Sequence, residues 1–155
     1  MKKELSIRIS GEAGQGVDTT AFTLIHILKK AGFNFFLHMD YMSRIRGGDN
    51  FMQIRVSEQP VRSFRNTTDL LVAFNTQSAS IHAPQVKREG VIVCDKGQDK
   101  TFSDKRIFDV PLSKLAIGVA GALLFQNVVA LGVASCLSGI PAPTGEAVIK
   151  DFFSG

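Results

Sequence analysis

Leu5-Ser6-Ile7-Arg8-Ile9-Ser10-Gly11-Glu12-Ala13-Gly14-Gln15-Gly16-Val17 is the stretch from which the fold can be read. Leu5, Ile7 and Ile9 alternate with Ser6, Arg8 and Ser10, which predicts a strand buried on one face. The turn residues Gly11 to Gly16 then break the alternation. Val17, Phe22, Ile25, Leu28 and Ala31 follow at helical spacing, and Gly32 is placed to end the helix. A strand that turns through glycines into a helix leaves backbone N–H groups pointing outward beside the positive end of the helix dipole. Gly11, Gly14, Gln15 and Gly16, with the Thr19 hydroxyl in the first turn, are therefore candidate contacts for a phosphate or carboxylate. The spelling departs from two known phosphate loops. Val17 and Asp18 stand where a P-loop needs Lys and then Ser or Thr, and the glycine spacing reverses the G-x-G-x-x-G order. Asp40 lies roughly where a ribose-binding acid would follow a second strand, so a stand-alone nucleotide- or dinucleotide-binding α/β module stays open as an alternative. A tight turn with no ligand stays open too.

Working outward, Phe33 to Met39 predicts a second strand, followed by a polar loop from Asp40 to Asn50. Met52, Ile54 and Val56 alternate with Gln53, Arg55 and Ser57, which predicts a third strand with one wet face and a hairpin partner at Val61 to Phe64. Leu70 to Phe74 and Val91 to Cys94 are continuous apolar runs, as expected of strands covered on both faces. Thr76 to Glu89 has helical length between them, with Gly90 at its end, and the strand–helix–strand order implies a parallel pair. Ile107 to Val110 reads as a weaker strand and Leu115 to Leu137 as one helix; a last helix runs from Glu146 to Phe153, with Thr144 as its cap. The prediction is an α/β protein, a single domain over residues 1–155 with a mixed β-sheet flanked by helices.

With 155 residues, 45% apolar and 21% charged, the chain can bury a core, which excludes disorder and collagen. A net charge of +4 is too weak for a dedicated nucleic-acid binder. Cys94 and Cys136 lie in apolar runs and read as small buried hydrophobes. Two thiols cannot hold an iron–sulfur cluster, and His26, His38 and His82 are too dispersed for zinc, so no metal site is expected. No nucleophile–base pair is evident, so no catalytic residue is assigned. His26 and His82 read as surface or boundary residues, and Arg8, Arg55, Arg62 and Arg65 as solvated. In the polar loop, Ser43, Arg46, Gly47 and Gly48 are candidate contacts: Arg46 can clamp a carboxylate or phosphate in two-pronged fashion, and the glycines permit close approach. Leu115 to Gly145 carries no charged side chain and exceeds the ~20 residues a bilayer requires. Gln126, Asn127, Ser135, Ser138 and the glycines instead predict a buried or subunit-packed helix, hence no membrane partner. The alternation starts directly after Met1-Lys2-Lys3, and a cytoplasmic setting is expected.

Gly11-Glu12-Ala13-Gly14-Gln15-Gly16, then Ser43-Arg44-Ile45-Arg46-Gly47-Gly48, then Asn127-Val128-Val129-Ala130-Leu131-Gly132 resemble, in order and spacing, the gamma subunit or domain of the 2-oxoacid:ferredoxin (flavodoxin) oxidoreductases. The resemblance covers nearly the whole chain, and the second motif with Phe51 is closest to the 2-oxoglutarate or general 2-oxoacid branch. It implies the fold of domain III of pyruvate:ferredoxin oxidoreductase. It further implies a multi-subunit enzyme that decarboxylates pyruvate, 2-oxoglutarate or a similar 2-oxoacid on thiamine diphosphate with Mg, passes electrons through iron–sulfur clusters, and transfers the acyl group to coenzyme A. Those cofactors would reside in partner subunits of alpha, beta and delta type, leaving this chain inactive alone. Gly11, Gly14, Gln15, Gly16, Thr19, Ser43, Arg46, Gly47, Gly48 and Asn127 become interface or ligand-proximal candidates, with a coenzyme A contact near Arg46. A homodimer contact through the helix around Asn127 is a third reading. Ala13, where the family often has Gly, departs from the pattern. The end at Gly155 is earlier than a complete gamma subunit usually shows, and whether it is a natural end or a truncation is left open.

Overall fold

The computed structural model describes residues 4–41, 48–97, 99 and 101–153. Strands β1 (Glu4–Glu12), β2 (Asn34–Tyr41), β3 (Asp49–Ser57), β4 (Thr68–Ala73), β5 (Val86–Cys94) and β6 (Ile107–Asp109) form one mixed sheet in the order β2-β3-β1-β4-β5-β6. β1, β4, β5 and β6 run parallel, while β3 is antiparallel to β1 and β2. Helices α1 (Val17–Lys30), α4 (Gln126–Leu137) and α5 (Ala142–Phe153) pack on one face, α2 (Thr76–His82) on the other, and α3 (Leu112–Ala120) against α4. The α/β prediction with a flanked mixed sheet holds.

Two cores follow from the alternation within β4. Leu70 and Val72 join Ile7, Ile9, Ile54 and the α1 residues Ala21, Leu24 and Leu28 on one face. Leu71 and Ala73 join Ala79, Val86, Ile92 and Cys94 under α2. α1 ends as expected of a glycine stop: Gly32 has φ +85°, its N–H donates to the Lys29 carbonyl, and Phe33 N–H donates to Leu28. Phe22, expected on the buried stripe, is exposed instead.

Several expectations are corrected. β1 is buried on both faces, because it lies between β3 and β4 and is sandwiched by α1 and α2; Ser6, Arg8 and Ser10 are all interior. The predicted wet face of β3 is interior at Gln53 for the same reason. Residues 61–64 form no strand. The Arg55 guanidinium instead holds this connection by donating to the Ser63 carbonyl at 3.0 Å. α2 stops at His82, since Pro84 cannot continue it, and β5 begins at Val86. Gly90 lies inside β5, where a Cβ would come within 2.6 Å of Val86 Cγ1 and 2.9 Å of the Asp69 carbonyl. The long uncharged stretch divides at Gly121 (φ +78°) into α3 and α4, and no helix among the described residues is long and apolar enough to cross a membrane. Ala130 and Ala134 are buried, whereas Ala120, Gly121 and Gly132 are exposed. Thr144 sits within α5, which starts just after Pro141. Cys94 is buried, but Cys136 is exposed on α4.

Helix α3 and the turn after it leave an apolar surface in water: Ile117, Val119 (86% exposed), Leu123 and Leu124 (77%).

Candidate functional site

The helices after β1 and β4 leave to opposite faces of the sheet, α1 toward one and α2 toward the other. The carboxyl ends of these neighbouring parallel strands form a topological switch point, where a doubly covered sheet offers a crevice. An open cleft of about 780 Å³ lies there. Its walls are the turn from Glu12 through Gly16, the first turn of α1 (Val17, Asp18, Thr19), Tyr41 and Asn50 from the paired ends of β2 and β3, and Leu123, Leu124, Gln126 and Asn127.

The glycines are required by shape. Gly14 (φ +91°) and Gly16 (φ +85°) occupy the left-handed region, which lets the chain reverse from β1 into α1. Gly11 belongs to β1, where a Cβ would meet Gln15 Oε1 at 2.7 Å and the Phe74 side chain at 3.2 Å. Gly16 lies under Asn127. The Thr20 hydroxyl joins these pieces, donating to the Gly16 carbonyl at 2.9 Å and the Asn127 carbonyl at 3.3 Å. Gln15 Oε1 accepts the Glu12 N–H at 2.8 Å and the Asn75 Nδ2 amide at 3.1 Å, which fixes the turn against the start of α2.

Gly14, Gln15, Gly16 and Thr19, neighbours in the chain, therefore share the cleft with Asn127 from α4, while Gly11 is buried in β1 outside that lining. Ser43, Arg46 and Gly47 lie outside the described residues, and Gly48 is half-buried just before β3. Asp40 is exposed near the end of β2. The cleft's charged lining among the described residues is acidic, Glu12 and Asp18. Around it stand carboxamides (Gln15, Asn50, Gln126, Asn127) and two leucines.

A second constellation, on the α2 side, is missed by the sequence reading. Arg8 and His82, expected at the surface or boundary, are buried. Arg8 Nε donates to Gln53 Oε1 at 3.0 Å, Arg8 NH1 lies 2.9 Å from His82 Nδ1, and the guanidinium stacks over the Phe51 ring at 4.4 Å. His82 Nε2 lies 2.5 Å from Asp49 Oδ2, and the Ser78 hydroxyl donates to Asp49 Oδ1. Burial presses the Arg8 guanidinium below its ordinary range, with Asp49 and Asp40 opposing. One local signal was available: Asn75-Thr76-Gln77-Ser78 has the spacing of an N-cap, and Asn75 Oδ1 does accept the Ser78 N–H at 2.8 Å.

These features define an α/β domain with a candidate binding cleft formed by a glycine turn and a helix N-terminus at the carboxyl end of its central strand. The chain belongs to the pyruvate ferredoxin/flavodoxin oxidoreductase family, whose sequence profile matches residues 6–155. It is 26% identical to the 2-oxoglutarate synthase subunit KorC of Archaeoglobus fulgidus, across 97% of this chain and 79% of that one. It is 30% identical to a 2-oxoacid:ferredoxin oxidoreductase subunit alpha of Sulfolobus sp over 64% of this chain and 16% of the relative. Among solved structures, the 2-oxoglutarate:ferredoxin oxidoreductase from Magnetococcus marinus, with 2-oxoglutarate, coenzyme A and succinyl-CoA bound, superposes with a TM-score of 0.87. That match has 26% identity and covers 99% of this chain and 28% of that one. The chain thus spans most of KorC but only a minor part of the other two relatives.

Proposed function

We propose that the chain is the gamma-type subunit of a multi-subunit 2-oxoacid:acceptor oxidoreductase and that its cleft faces coenzyme A. The reaction of the assembly is the oxidative decarboxylation of a 2-oxoacid such as 2-oxoglutarate or pyruvate. Carbon dioxide leaves, the acyl group passes to coenzyme A, and two electrons go to ferredoxin or flavodoxin. Subunits of alpha, beta and delta type are the partners, and the reducing cytoplasm is the setting.

Thiamine diphosphate with its Mg, and the iron–sulfur clusters, are assigned to those partners. Two cysteines fall short of the four thiolates a cluster takes, and among the described residues no three His, Cys, Asp or Glu side chains group around a metal position. Coenzyme A fits this chain in part. Carboxamides and leucines suit its neutral, amide-bearing arm, and the N–H groups at the start of α1 suit an anion. Glu12 and Asp18 oppose the anion, so the positive charge it needs is assigned to Arg46, on sequence grounds.

The observation that carries this reading is the convergence of Gly14, Gln15, Gly16 and Asn127 on one cleft at the switch point. The test is the coenzyme A affinity of the assembled enzyme carrying Arg46→Ala. Weakened affinity with unchanged binding of the 2-oxoacid is expected, and unchanged coenzyme A affinity removes the proposal.

A further inference from the structure

Asp49 is 4% exposed and immediately precedes Asn50, which lines the cleft. Its carboxylate takes two donors from α2, the Ser78 hydroxyl on Oδ1 and the His82 ring on Oδ2. The ring's other nitrogen faces Arg8 NH1 at 2.9 Å. A guanidinium can only donate, so Nδ1 is the acceptor and the ring proton resides on Nε2, toward Asp49. The imidazole therefore bridges a buried cation and a buried anion in a single tautomer.

A second run of bonds leaves Ser78. Its N–H donates to Asn75 Oδ1 at 2.8 Å, Asn75 Nδ2 donates to Gln15 Oε1 at 3.1 Å, and that oxygen also accepts the Glu12 N–H at 2.8 Å. Arg8, His82, Asp49, Ser78, Asn75, Gln15 and Glu12 thus form one continuous line. It starts on β1, crosses α2 and returns to the carboxyl end of β1. Its branches reach two separate walls of the cleft, the β3 start with Asn50 and the glycine turn.

We propose that the first turn of α2 is a bracket that positions the cleft, with Ser78 as its central link. The Ser78 side chain holds the β3 wall, and its backbone N–H, through Asn75, holds the glycine turn. Ser78, Asn75 and His82 are then positioning residues outside the cleft lining. The inference goes beyond the coenzyme A reading and holds whichever group fills the cleft.

The test uses the full chain, with amide hydrogen exchange and histidine nitrogen shifts followed by NMR. The wild type is expected to show the Nε2–H tautomer of His82 at neutral pH; the Nδ1–H form would overturn the bracket. Ser78→Ala removes only the hydroxyl and is expected to speed exchange at Asn50 about three- to tenfold, the effect of losing one hydrogen bond, with Leu24 on the opposite face unmoved. Asn75→Asp keeps the acceptor for the Ser78 N–H but loses the donor to Gln15. Because the links act as a unit, the double variant is expected to exchange no faster than the faster single one. Unmoved Asn50 in Ser78→Ala, unmoved Glu12 in Asn75→Asp, or effects that add in full, overturn the proposal. If Ser78→Ala does not fold, His82→Gln and His82→Leu decide instead. The Gln amide can donate to Asp49 and accept from Arg8, so it should retain Asn50 protection that Leu loses; equal protection in both overturns the bracket.

Discussion

Asn127 closes over Gly16: a Cβ added to that glycine would come within 2.7 Å of the Asn127 Cβ, at a residue whose φ is +85°. The glycine therefore meets two demands at once, a left-handed backbone and room for a side chain from another helix. Gly14 meets only the first, since nothing lies within 4 Å of its added Cβ.

Gly16→Ala is expected to destabilise the folded chain by about 2–4 kcal/mol, combining left-handed strain with overpacking. Gly14→Ala should lose about 1–2 kcal/mol from the backbone alone. Urea unfolding of both variants checks the order, and equal losses would deny the Asn127 contact its role.

The acidic lining gives the cleft a testable polarity. In the assembled enzyme, Asp18→Asn is expected to lower the KM for coenzyme A severalfold at low ionic strength, the gain shrinking as salt screens the carboxylate. A KM indifferent to the substitution would mean that the anionic part of the ligand binds away from α1.

The two thiols should differ in reactivity. Burial pushes the Cys94 thiol up to about 12, with Asp109 and Asp95 adding to the shift, so little thiolate forms at pH 8. Cys136 is exposed. Iodoacetamide at pH 8 is expected to label Cys136 alone in the native chain and both after unfolding, as counted by mass spectrometry.

Acid should unfold the protein through its bonded carboxylates. The Arg106 hydrogen bond holds Asp104 down at about 2, and the bond from Arg55 lowers Glu4. A carboxylate depressed in the folded state contributes fully above the unfolded value, about 3.9 for Asp, and loses that contribution as pH falls through the folded one. The urea midpoint is therefore expected to drop between about pH 4 and pH 2, and Asp104→Asn should flatten that drop.

The turn from β1 into α1 is legible in sequence because glycine spacing and apolar periodicity act within a few residues. The paired runs of β4 and β5 are legible because Leu70 to Phe74 and Val91 to Cys94 are unbroken apolar runs, the pattern of strands with an apolar layer on each face. The polar face of β1 is not. Ser6, Arg8 and Ser10 alternate with isoleucines in the same way whether they meet water or a second polar layer. Arg8's partners Gln53 and His82 lie 45 and 74 residues away in the chain. The site divides along the same line. Its glycines announce themselves, and Asn127 enters through a motif. Asn50, Asn75 and Ser78 gain meaning only when β3 and α2 are brought beside the glycine turn. The division of the uncharged stretch at Gly121 is not legible either, because Gly118, Gly121 and Gly132 read alike in sequence and only Gly121 adopts the left-handed backbone that ends α3.

Val119 and Leu124 decide how the molecule behaves at the bench. Side chains so fully hydrated on neighbouring turns make an adhesive spot, one expected to retain the polypeptide on a phenyl matrix at high ammonium sulfate and to draw it into turbidity on concentration. Replacing the pair by lysine and glutamate should abolish both behaviours while leaving the melting temperature in place.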